Sequence, residues 1–166
     1  QQHFGSNQAL VQSEKGVKIN DKMPLFAFEF MKNIFDLDNL NYKNILFLGV
    51  SYRSNVGDTR YSPVEKLYNF CKNDGANITL HDPYVSIWEE LNLKVNSKLS
   101  SVLSMKIDIL IISTSHDEYK NSSFFIDEIL KKDSMLILDT VGLFSQIEID
   151  KLLIKHNVKV LGRGDL

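Results

Sequence analysis

Residues 45–63 read ILFLGVSYRSNVGDTRYSP, and the fold is decided there. The apolar run Ile45-Leu46-Phe47-Leu48 stops at Gly49, the pattern of a short buried strand. Ser62-Pro63 stands ahead of Val64, Leu67, Tyr68 and Phe70, so a cap, a first-turn proline and an apolar stripe predict a helix from about 63 to 74. Gly75 is placed to close that helix. Strand, polar loop and helix in this order put the loop at the carboxyl edge of a sheet, where open α/β folds bind ligands. The loop carries Arg53, Asp58, Thr59 and Arg60. Two arginines beside a helix N-terminus suit a phosphate-bearing ligand. Asp58 and Arg60 read equally as a salt bridge that braces a long loop.

Outward from this stretch, strands are expected at about 44–50, 77–81, 93–95, 107–112, 135–138 and 158–160. Helices are expected around 87–91, up to Leu103, at 122–131 and at 146–156. The alternation implies an α/β fold, a Rossmann-like parallel sheet of about five to six strands with helices on both faces. Residues 1–38 read as an N-terminal helical segment, in which Asn20 to Pro24 opens a fresh helix or a kink, and residues 39–166 as the sheet domain. Asp82 ends the second strand, where dinucleotide folds hold a ribose, and the neighbouring His81 reads as a surface histidine. His116 and Asp117 follow the strand at 107–112 and share an edge with Arg53.

Composition narrows the function. The 166 residues are 43% hydrophobic and 24% charged with a net charge of −2, an ordinary globular balance without the basic excess of a nucleic-acid binder. No apolar run approaches a membrane span, and Gln1-Gln2-His3 opens no signal peptide, so neither membrane nor nucleic acid is expected as a partner. Gln1 in the place of an initiator methionine points to a piece of a longer protein. A single cysteine, Cys71, fits a reducing, cytoplasmic setting, and its place late in a helix reads as structural. The four histidines are scattered, with no metal-ligand spacing. G-x-G-x-x-G is absent after Gly49, where Val50, Ser51, Tyr52 and Arg53 are too bulky for a pyrophosphate to approach the helix, so NAD is not expected to bind this sheet.

The spacing from Leu48-Gly49 through Ser51, Tyr52, Arg53, Asn55, Asp58 and Arg60 to Ser62-Pro63 resembles the signature that opens the C-terminal domain of the UDP-glucose/GDP-mannose dehydrogenases. Asp82-Pro83-Tyr84, the turn Thr114-x-His116-x-x-Tyr119, and Ile19-Asn20-Asp21-x-x-Pro24 are similar to further family motifs, so the likeness runs over nearly all of 17–166. The resemblance implies a domain that binds the UDP part of a sugar substrate through Tyr52, Arg53, Asp58 and Arg60. It further implies an N-terminal remnant of the central helical segment, through which the parent forms a homodimer or higher oligomer. The parent reaction it implies is an NAD-dependent oxidation of a sugar alcohol to a uronic acid, with NAD and the catalytic cysteine carried by a domain that this sequence does not contain. One departure stands out: where the family has Asp-x-Arg, this chain has Asp139-Thr140-Val141 and lacks the arginine. Two readings compete with this one. A stand-alone regulatory domain of the receiver type is opposed by the basic loop after the first strand, and a self-contained NAD enzyme by the missing glycines.

Overall fold

The computed structural model describes residues 6–120 and 122–164. Its elements in chain order are α1 (Ser6–Ile34), β1 (Asn44–Leu48), α2 (Val64–Asn73), β2 (Asn77–His81), β3 (Ile87–Trp88), β4 (Leu93–Lys94), α3 (Leu99–Leu103), β5 (Ile109–Ile112), α4 (Ser123–Lys131), β6 (Leu136–Asp139), α5 (Gln146–Leu153) and β7 (Asn157–Val160). Five strands form one parallel sheet in the order β2-β1-β5-β6-β7, with Leu48 level with both His81 and Ile112. The chain therefore steps outward from β1 to β2, returns across it to β5, and continues away, which opens a crevice at the carboxyl ends of β1 and β5.

The continuous apolar runs of the central strands follow from burial on both faces. Successive side chains alternate across the sheet. Leu46, Leu48, Leu110 and Ile112 pack with α3, α4 and α5 on one face. On the other, Ile45, Phe47, Ile109 and Ile111 pack with α1, α2 and Trp88. Burying each of these side chains contributes about 1.5–3 kcal/mol, so the two half-cores set the sheet as the rigid frame beneath the loops.

Helix α2 ends where the sequence predicts. Gly75 takes φ +97°, and the Gly75 and Ala76 N–H groups donate to the carbonyls of Lys72 and Cys71, a Schellman closure. Cys71 is buried in this helix, and burial pushes its thiol up to about 12, so it is an inert core residue.

Three expectations are corrected. Residues 87–91 are a two-residue strand followed by a 3₁₀ turn (Glu89–Leu91), not an α-helix, and the strand near 93–95 does not join the sheet. Ile87–Trp88 and Leu93–Lys94 pair antiparallel as a separate ribbon, because both are too short to cross the sheet and Trp88 anchors them in the core. Helix α1 runs unbroken from Ser6 through Pro24, with no fresh start there. Pro24 is buried, and Ala27, Met31 and Phe35 lie in the core over α2, so packing offsets the hydrogen bond that proline removes. The outer ends of the expected ranges, residues 1–5 and 165–166, and the side chains of Leu10, Val11, Val17 and Asn20, lie outside the described residues.

Candidate functional site

Beyond Val50, which enters the core, the loop from Gly49 to Ser62 is held by polar bonds. Gly49 turns the chain at φ +90° against Thr114, where a Cβ would collide with that threonine. The Val50 and Ser51 N–H groups and the Ser51 hydroxyl all donate to Asp82 Oδ2, at 2.9, 3.0 and 2.8 Å. Tyr84 N–H donates to Oδ1 at 2.9 Å. Thr114 Oγ1 donates to the Ser51 carbonyl at 2.7 Å, and the Tyr52 N–H donates to the Asp58 carbonyl at 2.7 Å, closing the loop's neck. At the tip, the Asn55 N–H donates to His116 Nδ1 at 2.9 Å, and Asn55 and Asp117 exchange two more bonds.

Asp82 is therefore not a ribose ligand. It is fully buried, and besides these donors it accepts from His116 Nε2 at 3.1 Å. Burial works to raise its pKa, but the His116 N–H, the Tyr84 and Val50 N–H groups and the Ser51 hydroxyl outweigh that and hold the carboxyl well below its usual range. His81 is not a surface residue either. It is fully buried with Nδ1 2.8 Å from the Tyr119 hydroxyl, and burial pushes its pKa down to about 4, so the ring is neutral. Asp82 is thus committed to the loop, and Gly49 is followed by Val50, Ser51 and Tyr52 rather than by further glycines.

Tyr52, Arg53, Asp58 and Arg60, which the sequence singles out, come together on one cleft of about 960 Å³ between this loop, the start of α2 and α1. Arg60 grips Asp58 through Nε and Nη2 at 2.9 and 2.8 Å, which realises the loop-bracing arrangement and holds the exposed Asp58 carboxyl at about 2. Arg53 sits over the Tyr52 ring at 5.7 Å and makes no ion pair among the described residues. It is the cleft's available fork donor for a phosphate. Helix α2 starts beside it: Pro63 has helical dihedrals (φ −63°, ψ −17°), and Ser62 Oγ caps the first turn by accepting from the Val64 N–H.

Sequence reasoning did not nominate Tyr61, Lys66 or Asp21, which also line the cleft. Tyr61 is 93% exposed at φ +58°, a conformation costly for a tyrosine, and no local pattern announces it. Lys66 and Asp21 meet at 2.9 Å across 45 residues, a contact that only the packing of α1 on α2 creates. On the far side of the sheet edge, Asp139 is buried and accepts from Val141 and Phe144 N–H, and no arginine stands in the turn that follows it.

A model of the UDP-glucose/GDP-mannose dehydrogenase family, UDP binding domain, matches residues 46–146. The chain belongs to that family. Among its relatives, a UDP-N-acetyl-D-mannosamine dehydrogenase of Methanocaldococcus jannaschii is 33% identical over 150 residues, which cover 89% of this chain and 32% of that protein. The enzyme of the same name from Methanococcus vannielii is 32% identical over 152 residues, covering 89% and 33%. The chain thus spans about a third of the length of the curated relatives it matches. Solved structures confirm the fold: an NDP-N-acetyl-D-galactosaminuronic acid dehydrogenase of Methanosarcina mazei superposes with TM-score 0.73 at 20% identity, covering 88% of this chain and 30% of that one. A UDP-D-ManNAc dehydrogenase of Pyrococcus horikoshii superposes with TM-score 0.68 at 24% identity, covering 90% and 33%. The family match contains the whole loop from Gly49 to Pro63 and the turn that bears His116.

Proposed function

We propose that this chain is the substrate-nucleotide domain of an NAD-dependent UDP-sugar dehydrogenase, and that the UDP diphosphate binds in the cleft of Tyr52, Arg53, Asp58 and Arg60. The observation that carries the proposal is the convergence of these four residues on one cleft beside a helix N-terminus, on a loop inside the family's UDP binding domain. Arg53 takes the diphosphate as a bidentate donor, the start of α2 adds the positive end of its dipole, and Tyr52 offers a ring face to the base or ribose. The Asp58–Arg60 pair holds the loop open and presents the remaining N–H groups of Arg60. The relatives' names favour a UDP-N-acetylhexosamine; on this reading its alcohol is oxidised to a uronic acid, with NAD held outside these residues. The setting is cytoplasmic.

The first 38 residues serve as the helical segment through which such an enzyme pairs with a second copy, and residues 39–166 as the nucleotide-sugar domain. The exposed Ile19, Leu25 and Phe26 of α1 support that reading, since they face away from the domain's own core.

Calorimetric titration with UDP, GDP and NAD tests the proposal. UDP should saturate and NAD should stay silent. Arg53→Ala should weaken UDP about tenfold or more, the usual loss for a hydrogen bond to a charged group. NAD binding without UDP binding overturns the proposal.

A further inference from the structure

We propose that His116 is a positioning residue, whose neutral imidazole ties the tip of the β1–α2 loop to its base and so sets where Arg53 stands in the cleft. This rests on the UDP reading of that cleft and names a residue that touches no ligand itself.

The atoms assign the ring's tautomer. Nε2 faces the Asp82 carboxylate at 3.1 Å, and a carboxylate held ionised accepts, so Nε2 carries the hydrogen. Nδ1 faces the Asn55 N–H at 2.9 Å, and an N–H donates, so Nδ1 is the bare acceptor. One ring therefore spans the loop. Through Asp82 it reaches the Val50 and Ser51 backbone at the base, and through Nδ1 it reaches Asn55, two residues beyond Arg53.

Nothing apolar does the same work. Residues 52–57 are all exposed, so the tip contributes no side chain to either half-core. Asn55 stands at φ +61°, which asparagine tolerates better than most residues but which still needs bonds to hold it. The ring is in turn fixed in place: His116 is fully buried, with the Tyr84 and Tyr119 rings against it at 5.2 and 5.5 Å. A tie with both ends hydrogen-bonded and its faces packed holds the tip within the narrow tolerance a binding site requires.

The two amides closest in shape to histidine separate the two ends. Asparagine places an oxygen near the Nδ1 position and keeps the acceptor for Asn55. Glutamine places an N–H near Nε2 and keeps the donor for Asp82. In His116→Gln, the Asn55 amide proton should exchange with solvent about tenfold faster, and the UDP dissociation constant should rise about three- to tenfold. In His116→Asn, which keeps an acceptor for Asn55 but gives up the donor to Asp82, Asn55 exchange should rise less than in His116→Gln. Its UDP dissociation constant should still rise, because the base end of the tie is cut. In the unmutated chain, long-range proton–nitrogen spectra should show hydrogen on Nε2 and a coupling across the hydrogen bond from the Asn55 nitrogen to Nδ1, a readout that needs no variant to fold. Hydrogen on Nδ1, or unchanged Asn55 exchange in His116→Gln, overturns the tie. Fast exchange with unchanged UDP affinity overturns the positioning role, and Asn55 exchange as fast in His116→Asn as in His116→Gln overturns Nδ1 as the atom responsible. If the parent chain does not bind UDP, the function reading falls and takes the positioning role with it, while Asn55 exchange and the tautomer still decide the tie.

Discussion

Asp82, just past the end of β2, and Asp139, the last residue of β6, lie at the same edge of the sheet, both fully buried, and they have opposite characters. Burial penalises the ionised form of each. Asp82 meets an imidazole N–H, a hydroxyl and three backbone N–H groups, and these hold it ionised. Among the described residues, Asp139 meets only the backbone N–H groups of its own turn, which fail to cancel burial, and its pKa is raised. The difference lies in where the donors come from. Asp82 collects them from three separate loops and so joins those loops, while Asp139 collects them from the next five residues and shapes only its own turn.

The strongest way to break this comparison is Asp82→Asn. One amide N–H₂ would then face donors at the neck of the candidate binding loop, and we expect a loss of about 3 kcal/mol in urea unfolding at pH 7. A loss below about 1 kcal/mol would mean that the loop holds itself. The same change at Asp139 should cost about 1 kcal/mol or less, because relief of a buried charge offsets the acceptor given up.

Acid titration sharpens the contrast, since the two signs differ. Asp82 in the folded chain sits at about 2, below the roughly 3.9 of an unfolded aspartate. Its contribution is therefore present above that unfolded value and lost as pH falls toward about 2, so the penalty of Asp82→Asn should shrink between pH 5 and 2. Asp139 is raised, so its contribution is present below the unfolded value and lost as pH rises through the folded one. The penalty of Asp139→Asn should thus be largest in acid. Parallel trends for the two variants would refute the assignment of partners.

Much of the frame was legible. The run Ile45 to Leu48 announces a strand by its apolar pattern, although β2 and β5 supply its pairing, and the Ser62-Pro63 start and the Gly75 end of α2 are carried out by local sterics and hydrogen bonding. The gathering of Tyr52, Arg53, Asp58 and Arg60 was legible for the same reason, since the four share one loop. The segment from 87 to 95 was not legible, because two-residue strands carry no period and Trp88 decides their place by what it packs on. Pro24 misled because its local cost is real, while the burial of Ala27 and Met31 that offsets it is tertiary.

His81, Asp82 and His116 mark the limit. Polar residues at the ends of strands have the same local pattern whether they face solvent, a ligand or each other. By itself, the sequence determined the alternation of strand and helix, the parallel sheet, the position of a basic loop at its carboxyl edge and the family to which that loop belongs, all of which depend on short-range periodicity and spacing. Only the tertiary structure decided that Asp82 and His116, 34 residues apart, turn inward to meet, while Arg53 is left outward over Tyr52. The physical reason is that a buried charge is tolerated only where donors from several segments arrive together, and that arrival is a property of the folded chain.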